Sequence, residues 1–406
     1  MKKDYFLYLI TALLFCACVQ KPEGHRVVLC IPVYGQSLAL GEEAERITDF
    51  DSLAAYADGR IVTENMDHTF GYFDNDDTKR WLKKVVGYQK RAYELSVYNM
   101  AKVLADHTGA DTLICIFPGG QGATAIANLS KGTVPYQEFM EDIETAYKEA
   151  TANGWDFLIP AICWMQGESD IVDYPDTDYK QMLTQIWRDM NDDISRITGQ
   201  KDTVRFICYQ ANSLTRAEKF KANSYSCKET DVPQTFVELL RDNKWFWASG
   251  PTYPYNCVDE KIHIDAQGQQ TIGKLAARSV LGILGNAERF CGLIPTGLST
   301  AGDNVIVQFN TAGASLMLDT IQVRKADNYG FSVINKENKN IVSTIAFDSA
   351  VVRITCSESP TDCKVRYAVN GDYMKSGNLN GPRGNLRDSL GNWCYQFDMP
   401  IKQVCK

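Results

Sequence analysis

The chain has 406 residues, 45% of them hydrophobic and 23% charged, a balance that excludes a disordered, collagenous or coiled-coil protein. Lys and Arg number 42 against 50 Asp and Glu, a net charge of −8, which leaves no electrostatic footprint for nucleic acid. The length allows two or three domains, and beyond the N-terminal segment no apolar run approaches the roughly 20 residues of a membrane span.

The first element is an address. Lys2 and Lys3 precede an apolar stretch over residues 5–17, with the length and flanks of a secretory signal. Leu14-Phe15-Cys16-Ala17-Cys18 resembles the end of a bacterial lipoprotein signal, in which a small residue precedes a Cys that becomes acylated. Cys18 fits better than Cys16, because Ala17 is small and Phe15 is not. The expectation is a signal over residues 1–18, lipidation at Cys18, and an exported protein that meets the membrane only through that anchor; an ordinary secretory signal is the alternative. Of 13 cysteines, 11 follow Cys18. Export permits disulfides, and an odd number leaves at least one thiol free. Cys30, Cys115, Cys163 and Cys208 sit in apolar runs and read as buried thiols, whereas Cys356 and Cys363 are the better candidates to pair.

From residue 27 the pattern alternates. Strands are expected over residues 27–33, 111–117, 155–165, 203–210 and 244–248, and helices over 88–106, 136–153, 178–197, 233–241 and 266–284. This is the βαβ text of a parallel sheet with helices on both faces. Beyond Cys291 come short alternating runs at 304–309, 316–323, 331–334, 351–355 and 365–368, split by Gly, Asn, Asp and Pro, as in an antiparallel β-sandwich. The expected architecture is a three-layer αβα, flavodoxin-like unit over 26–287 and a smaller β-sandwich over 291–406.

Ligands of open α/β sheets bind beyond the carboxyl ends of the strands. After the first strand comes Gly35-Gln36-Ser37, where a strand-to-helix turn can expose a hydroxyl. A helix N-cap is the bland alternative for that Ser. After the second comes Gly119-Gly120-Gln121-Gly122-Ala123, which lacks both the phosphate-loop Lys and the dinucleotide spacing but can offer a backbone N–H to an oxyanion. After the third comes Gln166-Gly167-Glu168-Ser169-Asp170, where Gln166 can donate its amide and Glu168 can fix a neighbouring loop. Ahead of the last helix comes Asp259-Glu260-Lys261-Ile262-His263. Of the four histidines (His25, His68, His107, His263), His263 is the best-placed general base, with acids three and four residues before it. There is no CxxC and no histidine cluster, so a zinc site is not expected.

Together these four sites resemble the SGNH (GDSL-type) hydrolases, within them the sialate O-acetylesterase-like branch and carbohydrate esterase family 6. The resemblance spans residues 26–284; Arg383–Ser389 and Asn392-Trp393 also resemble the accessory β-domain of bacterial members. It implies Ser37 as nucleophile, His263 as base, and an oxyanion hole from the Ser37 and Gly122 N–H groups and the Gln166 side chain, with Gln36 and Glu168 supporting. Two positions depart from the pattern. Glu260 stands where the family has Asp, with Asp259 one residue earlier, so either could orient His263; and Ala123 replaces a common second Gly. The expected activity is that of an exported serine esterase removing O-acetyl groups from a carbohydrate, acetylated sialic acid or a xylan-type glycan, with no cofactor or metal. The alternatives are a non-catalytic carbohydrate-binding surface lipoprotein and a lipid or thioester hydrolase on the same fold.

Overall fold

The computed structural model describes residues 25–63, 69–74, 80–87, 93–212, 223–285 and 289–401. The expected signal, Cys16 and Cys18 lie outside them. Among the described residues no helix is long and apolar enough to cross a membrane.

Three of the expected strands are each broken once: β1 Val27–Cys30 from β2 Val33–Gly35, β6 Thr112–Cys115 from β7 Pro118–Gly120, and β8 Asp156–Leu158 from β9 Ala161–Met165. Pro32 and Pro160 fall in two of the breaks and have no N–H to give the ladder; Pro118 follows the third. The halves stay in line, since Ile31 N–H donates to Cys115 O and Cys163 N–H to Pro32 O, both at 2.9 Å. The remaining strands of the parallel sheet are β3 Ile61–Val62, β10 Arg205–Gln210 and β11 Phe246–Pro251. A hairpin, β4 Thr69–Asp74 and β5 Arg80–Gly87, pairs separately.

The hydrogen-bonded order is β11-β10-β9-β2-β7, continued by β8-β1-β6-β3. With each broken strand counted as one, five strands run in the flavodoxin-like order, and β3 adds an edge. The chain therefore reverses direction across the sheet at β1/β2, which puts the switch point, where open α/β sheets bind ligands, beyond the end of β2.

Helices form the outer layers. They are α1 Phe50–Ala55, α2 Ser96–His107, α3 Val134–Ala152, α4 Glu168–Asp173, α5 Tyr179–Thr198, α6 Asp231–Asp242 and α7 Ala266–Ile283. Val97, Tyr98, Met100, Ala101, Leu104 and Ala105 make one buried stripe on α2, at helical spacing. α2 packs on α7, and α3 on α5 and α5 on α6. The α2–α7 approach needs Gly273, where a Cβ would stand 1.9 Å from Ser96 O. Asp178 caps α5 by accepting from Gln181 N–H, and Gly199 ends it in the left-handed region at φ 74°. Asp265 caps α7 by accepting from Gly268 N–H, which fixes the chain just after His263.

Beyond α7 the sheets are antiparallel: β12 Pro295–Ala301, β13 Asn304–Phe309, β16 Val342–Asp348 and β17 Val351–Cys356 form one, and β15 Phe331–Ile334, β18 Lys364–Tyr367 and β20 Phe397–Pro400 another. β14 Leu316–Leu318 pairs with β19 Leu386–Asp388, and a short helix, α8 Gly377–Asn380, precedes β19. Aromatic side chains join the two larger sheets, with the Phe309 and Phe397 rings 6.4 Å apart. The expected strand at 316–323 stops at Leu318 because Asp319 Oδ1 accepts from the N–H groups of Ile321 and Gln322, which turns the chain. Cys356 and Cys363 are not bridged, and every described cysteine is a free thiol. This region docks on the α/β unit at the ends of β10 and β11: Gln210 exchanges two hydrogen bonds with the Gln396 backbone, and the Tyr395 hydroxyl accepts from Gly250 N–H at 2.8 Å.

Candidate active site

Ser37 lies two residues past β2. Gly35 is required by close approach, since a Cβ there would stand 2.0 Å from Met165 O. The Ser37 carbonyl accepts from Leu40 N–H at 3.1 Å and from Glu42 N–H at 3.0 Å, winding the chain into a tight turn around the residue. The amide of Gln269 on α7 donates to Leu38 O and ties that turn to the helix.

The His263 loop closes on Ser37 from the other side. Val258 N–H donates to His263 O, and Cys257 bridges to Ile264. Asp259 Oδ1 accepts from the N–H groups of Lys261, Ile262 and His263 at 2.8–3.0 Å. One carboxylate oxygen thus shapes the loop, and the other, Oδ2, faces His263 Nδ1 at 3.4 Å. The opposite ring nitrogen, Nε2, is 2.8 Å from Ser37 Oγ. Residues 226 apart in sequence meet as nucleophile and base should.

Of the two acids expected near His263, the structure brings Asp259 and not Glu260. Glu260 is in the left-handed region at φ 56°, and its carboxylate is turned to Lys375 of the C-terminal region. The physical reason is the three-way backbone grip of Asp259, which curls the loop so that the next side chain leaves on the other side. Burial opposes ionisation of Asp259, but the interactions with His263 and the loop N–H groups outweigh it and hold the carboxyl well below the usual range. Burial likewise disfavours the imidazolium, yet Asp259, then Glu43 and Glu42, raise the His263 pKa above its ordinary value.

Glu43 is the residue that sequence reasoning missed. Its Oε2 is 3.2 Å from His263 Nδ1. No spacing motif connects it to the histidine; the only local signal is Gly41, at φ 67°, in the turn between Ser37 and Glu43. Glu43, Asp259 and His263 are also a group of described residues whose potential metal-ligand atoms lie within 4.8 Å of one another. Their other arrangement, a base held by carboxylates, accounts for that grouping.

Gly122 sits beside the nucleophile: a Cβ on it would lie 3.9 Å from Ser37 Cβ and 3.0 Å from Glu42 Oε2. Ala123, where the resemblance favours Gly, has φ 51°, the conformation that a glycine adopts without strain.

Gln166 departs from expectation. It is fully buried, and its amide nitrogen donates to Thr124 O at 3.1 Å and to Asp170 Oδ2 at 2.5 Å, while its oxygen accepts from the Tyr179 hydroxyl. Both amide hydrogens are committed, so the side chain knits the loop instead of facing an oxyanion. Gln36 lies against the same loop, its side-chain oxygen 3.5 Å from Gly167 N and 3.4 Å from Ser169 N. Glu168 is buried at the start of α4, accepting from the Tyr209 hydroxyl at 2.5 Å. Burial pushes its pKa to about 7, against the pull of Tyr209 and the His263 charge.

Residues 96–282 match the family model described as carbohydrate esterase, sialic acid-specific acetylesterase. The resemblance to that family stands. Gly122, Gln166, Glu168 and His263 fall inside the matched residues, and Ser37 outside. Among curated proteins no match is found. Among solved structures, the chain is similar to a carbohydrate acetylesterase from Xanthomonas citri, with 16% identity, a TM-score of 0.63, and 92% of this chain and 80% of that one covered. It is also similar to a protein from Arabidopsis thaliana, with 15% identity, a TM-score of 0.44, and 64% and 98% covered, and to NanS, with 14% identity, a TM-score of 0.43, and 65% and 99% covered. The fold is that of the Xanthomonas citri protein.

Proposed function

We propose that the protein is an exported serine esterase that removes O-acetyl groups from a carbohydrate, acetylated sialic acid or a xylan-type glycan, and is anchored through Cys18. The observation that carries the reading is the Ser37 Oγ–His263 Nε2 distance of 2.8 Å, with a carboxylate behind the ring. The family match supports the carbohydrate acetyl ester as substrate class.

In this reading His263 Nε2 takes the Ser37 proton as Oγ attacks the acetyl carbonyl. Asp259 holds the ring so that Nδ1 keeps its hydrogen, and stabilises the imidazolium that forms. The tetrahedral oxyanion rests on the N–H groups of Ser37 and Gly122. The imidazolium then protonates the departing sugar oxygen. Water, deprotonated by His263, attacks the acetyl-Ser37 ester and frees acetate.

The test is acetate release by wild type and Ser37→Ala from O-acetylated sialic acid and acetylated xylan in parallel. Release by wild type alone supports the esterase, and the better substrate names the glycan. Equal release by both proteins removes Ser37 from the mechanism. Binding of glycan without release favours the carbohydrate-binding alternative.

A further inference from the structure

Asp259 is not alone behind His263. The buried Nδ1 atom makes no hydrogen bond of good geometry, and it lies 3.2 Å from Glu43 Oε2 and 3.4 Å from Asp259 Oδ2. The two carboxylates come from different segments: Asp259 from the His263 loop, Glu43 from the turn that carries Ser37.

The turn is built to present Glu43. Its backbone is in the left-handed region at φ 65°, which a side chain other than Gly adopts only when its surroundings fix it. Here they do. Glu42 N–H donates to Ser37 O, Ala44 N–H to Gly41 O, and Glu94 N–H to Ala44 O. Gly41 admits the close pass of Glu94 O, which a Cβ would meet at 2.0 Å. A strained residue beside the nucleophile, aimed at the base, points to function.

We infer that Glu43 is a second positioning carboxylate for His263, sharing the Nδ1 hydrogen with Asp259 and linking the base directly to the nucleophile's own turn. This rests on the esterase reading. The acidic groups that act on the ring are Asp259 on its own loop, Glu43 and Glu42 on the Ser37 turn, and Glu168 at the start of α4. Glu43 is 47% exposed and Asp259 19%, so the pair differs in access to water. Asp259 is the fixed partner, gripped by three N–H groups, and Glu43 the adjustable one.

The test is kcat/KM against pH on p-nitrophenyl acetate for wild type, Glu43→Gln, Glu43→Asp, Asp259→Asn and the Glu43→Gln/Asp259→Asn double variant, with an NMR titration of the His263 ring in wild type and Glu43→Gln. The expected result is that Glu43→Gln moves the acid limb and the ring titration to lower pH, because removing a nearby carboxylate destabilises the imidazolium. Glu43→Asp restores part of the shift. Each single variant leaves one carboxylate in place, so the double variant falls below the product of the two single losses, by on the order of tenfold. A multiplicative double variant together with an unmoved ring titration overturns the inference. If wild type shows no Ser37-dependent turnover, the esterase reading fails, and the ring titration alone decides: a downward shift in Glu43→Gln keeps Glu43 as the ring's partner, and no shift removes it.

Discussion

The Tyr209 hydroxyl donates to the Glu168 carboxylate at 2.5 Å, and both side chains are buried. Burial leaves that carboxyl with a pKa of about 7, above the usual carboxylate range. A raised folded-state pKa contributes stability that is fully present below the unfolded value, near 4.5, and is lost as pH rises through about 7. The loss is on the order of 3 kcal/mol at most. Melting curves between pH 5 and pH 8 should therefore show wild type losing more stability toward pH 8 than Glu168→Gln, which still accepts from Tyr209. Parallel curves for the two proteins would contradict the assigned burial cost.

Gln166 gives a second contrast. As an oxyanion donor, its loss would cost on the order of 10²–10³ in kcat and leave folding intact. The geometry assigns it to a buried network with Asp170, Thr124 and Tyr179. Gln166→Ala should lower stability by about 1–3 kcal/mol through the polar groups left unpaired. A normal denaturation midpoint with a hundredfold loss of kcat would restore the oxyanion role.

Asp259 and Glu260 are adjacent in sequence and opposite in expected effect. Asp259→Asn should reduce kcat, though by less than the roughly 10⁴ seen when a triad histidine loses its only carboxylate, because Glu43 remains. Glu260→Gln should leave kcat within about twofold, since its carboxylate pairs with Lys375 and not with the ring, and an exposed pair is worth little. Steady-state kinetics on both variants decides this; a large loss in Glu260→Gln alone would reverse the assignment.

Gly35→Ala tests the frame of the site. The added Cβ would meet Met165 O at 2.0 Å, backbone against backbone, with no flexible side chain to yield. Strand β2 must shift from β9, so the variant should lose more than about 2 kcal/mol of stability and most of its turnover. A soluble variant melting with wild type would mean that β2 and β9 are further apart than described.

The parallel sheet was legible because its strands are continuous apolar runs and its helices carry clear 3.6-residue stripes, as on α2. The breaks at Pro32 and Pro160 were legible in principle, since proline cannot complete a ladder, but hydrophobicity alone runs straight through them. Strands β12, β16, β19 and β20 were missed because they are short or mix exposed and buried positions: Pro295–Ala301 has only one fully buried residue, at its start. At the site, Ser37, Gly122, His263 and the acids before it could be named as candidates because each follows a strand or precedes a helix at the same edge of the sheet. Glu43 was not, because its approach to His263 depends on the left-handed turn at Gly41 and on 219 intervening residues folding back, which no local spacing encodes. Gln166 was named as an oxyanion donor, and the hydrogen bonds it makes instead were not legible, since their partners come from a loop (Thr124) and two helices (Asp170 on α4, Tyr179 on α5) that only the fold brings together.

The most direct test of the central claim is acetate release by wild type and Ser37→Ala from O-acetylated sialic acid and acetylated xylan. The account predicts steady release by wild type from at least one of them and nearly none by Ser37→Ala, with both proteins melting together. Undiminished release by Ser37→Ala would contradict it, because the 2.8 Å contact with His263 would then have no part in the reaction.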